Sequence, residues 1–387
     1  LLGLLGRDLA DGQAQVALSG GLNAGALIGV GLVAVAAARI VTGRASRGAA
    51  LAGFLGLLFI LWFAVGYTNF GLVAPLEREL IRQLSIVAVA VLAANTVRTY
   101  PGTRVIAIIV ATASLEAVIA VYQLATGQGF EHTNRVWGTL SHPSTASALF
   151  SVGLALALFQ YYEGRRRSYL AAAILLTVGI LGTRSLGGIA QAPVTLVAYG
   201  VFAGRLTRRA RTTALLGVVV LLVFVFTGFG SGRIQELGRT TSLSQASHGI
   251  TTNALDWRYY QWSLLLKDWR AKPAFGWGLG TTDSYITPQQ NIPHNDFLRL
   301  LVETGVVGFI VFGIGWFALV RTLYRRMRIP GPAQSLQAIT LAVIAGLTIN
   351  SLVNNVNFMT STMYATAALI GCALAPTFRG RGEPQTP

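Results

Sequence analysis

The sequence predicts an all-α protein, a polytopic bundle of helices that crosses a lipid bilayer many times. Of its 387 residues, 53% are hydrophobic and only 11% are charged, whereas soluble domains average about 25% charged residues. The apolar residues stand in blocks, many of which reach the roughly 20 residues needed to span a bilayer as a helix. Because backbone polar groups in lipid must be satisfied within the chain, these blocks are predicted to be helices.

Eleven apolar blocks are candidate membrane spans. The sixth and seventh are short, and they flank the sequence Gly-Thr-Arg-Ser-Leu-Gly-Gly at 182–188, where we expect the helices to break. The chain begins at Leu1 within an apolar stretch, and we expect one more helix before it, which would make twelve. The predicted spans are residues 22–41, 49–67, 80–97, 103–125, 143–162, 169–184, 188–203, 212–230, 301–320, 335–353 and 360–376.

The distribution of charge predicts an orientation for the bundle. Of the 30 basic residues, 18 arginines lie in or beside every second connection, together with only two acidic residues, Glu163 and Glu383. That side carries the whole formal net charge of +16, and the positive-inside rule assigns it to the cytoplasm. The extracytoplasmic side then holds a long loop, which divides the chain into segments 1–230, 231–296 and 297–387.

The long extracytoplasmic loop has two parts. Residues 231–255 are rich in Ser, Thr, Gly and Gln, which is typical of coil. Residues 256–269 predict an amphipathic helix at the membrane interface, because tryptophan and leucine recur at helical spacing, and Asp256 is predicted to cap it. Pro273 ends this helix, and the alternating glycines within 275–280 permit the positive φ angles of a tight turn.

The predicted outer face gathers cationic and histidine side chains, which favours an anionic lipid headgroup such as a diphosphate as ligand. Arg184 stands between two apolar segments, where a charged group is costly and by default indicates function, and its guanidinium suits phosphate geometry. His294 precedes a helix at the membrane surface, where a neutral imidazole can take a proton from a hydroxyl group. The set comprises Arg82, Arg135, Arg184, Arg258, Lys267 and His294.

Plainer interpretations exist for several of these residues. His294 also suits a helix cap, and Arg258 suits the solvated face of its helix. Arg82 and Glu116 both fall in the outer halves of spans and could form an ion pair that joins two helices. No cluster of Asp, Glu and His shows metal-ligand spacing, and Cys372 is the single cysteine, so we predict no metal and no other cofactor.

Four stretches of the sequence carry distinctive motifs. The most specific is His-Asn-Asp-Phe-Leu-Arg-Leu-Leu-Val-Glu-Thr-Gly-Val-Val-Gly at 294–308. Upstream, Arg258 and its predicted helix precede the turn Lys-Pro-Ala-Phe-Gly-Trp-Gly-Leu-Gly at 272–280. The other two are Arg-Val-Trp-Gly-Thr-Leu-Ser-His-Pro at 135–143 and Thr-Arg-Ser at 183–185, which are weaker. Together these motifs resemble those of the O-antigen ligase and O-antigen polymerase superfamily of bacterial membrane glycosyltransferases.

The resemblance implies a GT-C-like architecture and an enzyme that moves a glycan from a polyprenyl (undecaprenyl) diphosphate carrier to an acceptor hydroxyl. The acceptor would be lipid A core in a ligase or another lipid-linked repeat in a polymerase, on the outer side of the bacterial plasma (inner) membrane, with inversion and without a metal. By position, His294 would be the general base, while Arg184 and Arg258 would bind the diphosphate and stabilise its charge. The implied substrate-binding residues are Arg82, Arg135, His142, Lys267, Asn295 and Glu303.

Other functions stay open at the level of sequence. The motifs do not separate a ligase from a polymerase. A transporter or lipid flippase also uses broken helices such as the one predicted at 182–188, although the polar residues here lie on one face and not at mid-membrane. ATP-driven transport is disfavoured, because the chain has no Gly-x-x-x-x-Gly-Lys loop. A scaffold protein would need no arginines clustered near an interfacial histidine.

Overall fold

The computed structural model describes residues 24–42, 48–99, 102–130, 134–164, 166–203, 254–282, 286–289, 293–331 and 333–375, and four isolated helical positions at 212, 215, 217 and 219. These residues form eleven α-helices, one short 3-10 turn at Val356–Phe358, and no strand. The helices are α1 (Ala24–Val41), α2 (Gly48–Phe70), α3 (Ala74–Thr99), α4 (Gly102–Ala125), α5 (Pro143–Gly164), α6 (Arg167–Thr183), α7 (Leu186–Phe202), α8 (Ala254–Ala271), α9 (Asp296–Met327), α10 (Gln334–Asn350) and α11 (Thr360–Leu374).

These helices confirm the predicted all-α membrane class. Ten of the eleven predicted spans coincide with a helix. The eighth, at 212–230, lies outside the described residues except for the four isolated helical positions. Residues 1–23 and most of the predicted coil at 231–255 also lie outside them. By length and composition, five helices are long and apolar enough to cross a membrane, namely α2, α3, α4, α5 and α9. The other apolar helices, α1, α6, α7, α10 and α11, are shorter.

Helix α5 lies at the centre of the bundle. Its buried residues run without a gap from Pro143 to Gln160, and it contacts α4, α6, α7, α10 and α11. A helix that is buried on all sides belongs in the core of a large protein or a membrane bundle. Small residues permit close approach, because a side chain at Gly153 would meet Ala113 of α4 and Leu176 of α6.

Helix α8 is the predicted amphipathic helix of the long loop. It begins at Ala254, so that Asp256 lies inside the first turn and is not the cap that we predicted. A carboxylate at this place still interacts favourably with the positive end of the helix dipole. The helix ends at Ala271, as predicted from Pro273. Glycines 276, 278 and 280 then have φ of 71°, 108° and 77°, which confirms the predicted turn.

The glycine turn docks on a break in α9. Gly305 interrupts this helix with φ 65° and ψ −173°. The N–H of Gly278 donates to the carbonyl oxygen of Glu303 at 2.8 Å, and the N–H of Val306 donates to that of Pro273 at 2.9 Å. The turn therefore provides hydrogen-bond partners for backbone groups that the break would otherwise leave unsatisfied.

Replacing Gly305 with alanine is expected to lower the free energy of unfolding by roughly 2–4 kcal/mol. Only glycine adopts this φ and ψ readily, and an added Cβ would overlap the backbone of Ala274 and Phe275. The unfolding midpoint of the purified protein in detergent measures the effect. Gly315→Ala on the same helix is the matched control, because a Cβ there meets nothing within 4 Å; equal losses in both variants would contradict the prediction.

The two ends of the bundle carry different residues. At one end, Arg326 of α9 donates to the carbonyl oxygen of Leu374, the last residue of α11, at 2.6 Å. At the other end, the N–H of Asp296 at the start of α9 donates to the carbonyl oxygen of Ser351, just after α10, at 2.9 Å. The second end is the one on which most of the predicted site residues meet.

Candidate active site

Two buried polar residues of α4 shape the connection 134–142, which carries two predicted site residues. The carboxylate of Glu116 accepts hydrogen bonds from the N–H and the hydroxyl of Thr139, at 2.8 and 2.7 Å. The amide of Gln123, two turns further along α4, donates to the carbonyl oxygen of Gly138 at 2.7 Å and accepts from its N–H at 3.0 Å. These bonds hold a non-helical segment against the bundle.

The turn between α6 and α7 lies against the same connection. The Nε of Arg135 donates to the carbonyl oxygen of Thr183 at 3.0 Å. Arg184 follows as the C-cap of α6, in the left-handed conformation with φ 50° and ψ 29°, and its side chain is exposed. The break predicted within 182–188 is confirmed, and it brings Arg184 next to the segment that carries Arg135.

His142 stands just before α5 and caps it. Its Nδ1 accepts the N–H of Ser144 at 3.0 Å, so the neutral ring carries its proton on Nε2. Burial, followed by the charges of Arg135, His294 and Arg258, lowers the pKa of His142 to about 4. His142 is therefore a neutral hydrogen-bond donor at pH 7.

Helix α8 and the start of α9 hold His294. The indole Nε1 of Trp262 donates to the carbonyl oxygen of Pro293 at 2.8 Å, and the Trp257 ring meets the His294 ring edge-on, with centroids 5.2 Å apart. Burial, and then the charge of Arg258, lowers the pKa of His294 to about 4. Within the part of the chain that the structure describes, no hydrogen bond engages its ring nitrogens, which leaves them available to a substrate hydroxyl.

Four predicted residues thus converge on one place, since His142 interacts electrostatically with Arg135, His294 and Arg258. Among the described residues, only His294 and Arg184 are non-glycine residues with positive φ, at 43° and 50°. Such conformations are uncommon and cluster at functional sites. Both belong to the set predicted to be catalytic, which supports that hypothesis.

Arg82 and Glu303 belong to a different, buried group of charges. Arg82 pairs with Glu79 on α3, Glu79 accepts from Arg299 of α9 at 2.7 Å, and Arg299 lies 3.2 Å from Glu303. The predicted pairing of Arg82 with Glu116 is wrong, because Glu116 is occupied by the 134–142 connection. Among the described residues, these ion pairs join α3 to α9 and give Arg82 and Glu303 a structural role.

Lys267 lies apart from the converged residues, whereas Asn295 directly follows His294 but uses its side chain as a helix cap. Lys267 follows Arg258 by nine positions on α8, which puts it on the opposite face and about 13.5 Å along the axis. The side chain of Asn295 caps α9, since its Oδ1 accepts the N–H groups of Phe297 and Leu298, both at 3.0 Å. A structural role is therefore sufficient for Asn295.

One residue beside His294 was not predicted from the sequence. The Oδ1 of Asn355 accepts the N–H of Asn295 at 3.0 Å. Asn355 lies in the segment 351–357 between α10 and α11. The available signal was its composition, since three asparagines fall within four residues, at 354–357, in a gap between apolar spans.

The converged residues define the chemistry that the site can perform. Arginine side chains offer fixed donor pairs that suit a phosphate, and a neutral imidazole can accept a proton or donate one hydrogen bond. Among the described residues, no group of three or more His, Cys, Asp and Glu is placed to hold a metal ion. The site therefore suits an anionic, phosphate-bearing ligand with a hydroxyl group close by.

The low histidine pKa values predict that the protein loses stability in mild acid. The pKa is 6.5 for an ordinary histidine and about 4 for folded His142 and His294. Between these values the unfolded chain binds more protons, so the free energy of unfolding falls as the pH decreases from 6.5 to 4. Unfolding midpoints in detergent across this range test the prediction. The variant His142→Asn keeps an acceptor for the helix cap but has no titrating ring, so its unfolding midpoint is expected to fall less over this pH range. An equal fall in the variant and the wild type would contradict the prediction.

The fold and the site define a helical membrane protein with a cationic, histidine-containing site at one end of its bundle. The O-antigen ligase family model matches residues 171–313, a little over a third of the chain. This region runs from α6 into α9 and contains Arg184, Arg258 and His294. The match confirms the resemblance to the O-antigen ligase and polymerase superfamily, whose members are glycosyltransferase-type membrane enzymes that act on lipid-linked glycans. No curated protein matches the chain.

Proposed function

We propose that the protein transfers a glycan from a polyprenyl diphosphate carrier to an acceptor hydroxyl, with lipid A core as the first candidate acceptor. The observation that carries the proposal is the convergence of Arg135, His142, Arg258 and His294, with both rings neutral beside arginine charges. The proposed location is the extracytoplasmic side of the bacterial inner membrane, opposite the arginine-rich connections. The family match supports the coarser function of a ligase or polymerase.

In the proposed reaction, the acceptor oxygen forms a bond to the anomeric carbon of the glycan. His294 takes the hydroxyl proton as this bond forms, which requires the neutral ring that its pKa of about 4 provides at pH 7. The bound diphosphate adds negative charge beside His294, which raises its pKa towards the working pH and makes it a stronger base. The bond from the anomeric carbon to the diphosphate oxygen breaks, and attack from the opposite side inverts the centre.

The arginines act on the leaving group in this proposal. The diphosphate departs with the electron pair of the broken bond, and Arg258 and Arg184 stabilise the charge that develops on it. Arg135 adds positive potential that attracts the anionic donor. The Nδ1 of His142 already accepts the N–H of Ser144. In this proposal its Nε2–H therefore donates a hydrogen bond to an oxygen of the lipid-linked glycan. The roles are electrostatic and need no covalent intermediate.

A transfer assay with two acceptor arms tests the proposal. Purified protein in detergent is mixed with a polyprenyl diphosphate-linked glycan and a chelator, with or without lipid A core. A product that appears only with the core identifies a metal-independent ligase. Lengthened lipid-linked glycan without the core identifies the alternative, a polymerase of the same superfamily. If folded protein yields no product from a range of donors in either arm, the proposal fails and a glycan or small-anion transporter becomes the better explanation.

A further inference from the structure

We infer that Asn355 is a positioning residue, which holds His294 in its left-handed backbone conformation and so aims the imidazole at the acceptor hydroxyl. The inference rests on the proposed function. It concerns a side chain outside the region matched by the family model, which ends at residue 313. Asn355 bonds to the backbone next to His294 and not to its ring, so it acts through the histidine.

The backbone on both sides of His294 is tethered. On one side, the indole of Trp262 donates to the carbonyl oxygen of Pro293 at 2.8 Å. On the other side, the N–H of Asn295 donates to the Oδ1 of Asn355 at 3.0 Å. A non-glycine residue with φ of 43° is uncommon, and such a conformation persists only where its surroundings impose it. These two bonds, one on each neighbour, hold the backbone directly before and directly after His294.

The segment that carries Asn355 is itself held against the start of α9. The carboxylate of Asp296 accepts the hydroxyl of Ser351 at 2.9 Å and the N–H of Asn357 at 3.1 Å. The side-chain amide of Asn295 donates to the carbonyl oxygen of Leu352 at 3.1 Å. The segment 351–357 is thus anchored at both ends, and the Oδ1 of Asn355 is presented to one backbone N–H.

Loss of the Asn355 acceptor is expected to affect turnover more than binding. Without it, the N–H of Asn295 loses its acceptor, and the peptide group between His294 and Asn295 can rotate. His294 can then relax towards an ordinary conformation, which moves the ring by an ångström or more. Such a displacement costs on the order of 10²-fold in rate. The arginines that bind the diphosphate of the glycan donor are unchanged, so KM is expected to change by less than about twofold.

The test compares Asn355→Ala with two matched variants of the full-length protein. We expect Asn355→Ala to lower kcat for transfer about 10- to 100-fold, and Asn355→Asp, which keeps an acceptor oxygen, to recover most of it. Asn357→Ala is the control, because only the backbone N–H of Asn357 takes part in the anchor. An unchanged kcat in Asn355→Ala, or an equal loss in Asn357→Ala, would overturn the inference.

A second readout separates this inference from the proposed function. Hydrogen exchange measured by mass spectrometry reports the amide of Asn295 whether or not the protein transfers a glycan. We expect this amide to exchange about tenfold faster in Asn355→Ala than in the wild type or Asn357→Ala. If the amide exchanges faster in Asn355→Ala but the wild type transfers no glycan, the hydrogen bond from Asn295 to Asn355 is supported and the proposed function is rejected. Unchanged exchange would reject the tether itself.

Discussion

Replacing His294 with asparagine is expected to lower kcat for glycan transfer about 10²- to 10⁴-fold, the range associated with a general base. Asparagine is chosen because it adopts the left-handed conformation more readily than most residues, so the φ of 43° can persist. Its amide cannot take a proton from a hydroxyl. The unfolding midpoint is expected to stay near the wild-type value, which separates lost chemistry from lost structure.

The pH profile of the wild type gives a second view of the same base. The pH dependence of kcat/KM reports the pKa values of groups in the free enzyme, where the pKa of His294 is about 4. We therefore expect kcat/KM to hold as the pH falls from about 8 to about 5 and to decline as it approaches 4. Full transfer activity in His294→Asn would exclude the base role, whatever the shape of this profile.

Replacing Arg258 with alanine is expected to lower kcat by about 10²- to 10³-fold, as for the loss of a donor aimed at developing charge. Arg258→Lys is expected to recover only part of this, because an ammonium lacks the paired donors of a guanidinium. The Arg258 charge also lowers the pKa of His294. Its removal is therefore expected to move the acid limb of kcat/KM to higher pH.

The control for this variant lies on the same helix. Arg270, in the last turn of α8, has an exposed side chain and follows Arg258 by about three helical turns. Arg270→Ala removes the same charge and is expected to leave kcat and the affinity for a glycan-free polyprenyl diphosphate near wild type. A loss as large as that in Arg258→Ala would mean that general surface charge, and not a placed guanidinium, produces the effect.

The positions of most helices could be predicted because a membrane imposes a local rule. Where the apolar block covered the whole helix, as at 103–125, the predicted ends match α4 closely. Where polar residues belong to the helix, the prediction was too short. Helix α3 begins at Ala74, whereas the predicted span began at residue 80. Glu77 and Glu79 in its first turns lower the local hydropathy, so the span appeared to start later. Glu79 is nevertheless part of the helix, where it pairs with Arg82.

The candidate site could be predicted as a set of residues but not as an arrangement. The motif around His294 and the exposed cations drew attention to the right end of the bundle. The sequence could not separate Arg82, which pairs with Glu79, from Arg135, which joins the converged residues. Nor could it connect Asn355 with Asn295, 60 positions away, because hydropathy and spacing carry no information about partners at that separation.

By itself, the sequence determined the helical class, the apolar blocks, the one-sided charge and the residue types able to bind a diphosphate and take a proton. Each of these follows from a local rule of solvation or side-chain chemistry. The tertiary structure decided which charges are consumed in the bundle, where α9 breaks to receive the glycine turn, and which backbone is held beside the catalytic candidates. Those outcomes depend on hydrogen-bond and ion-pair partners far apart in the chain, which only packing brings within reach.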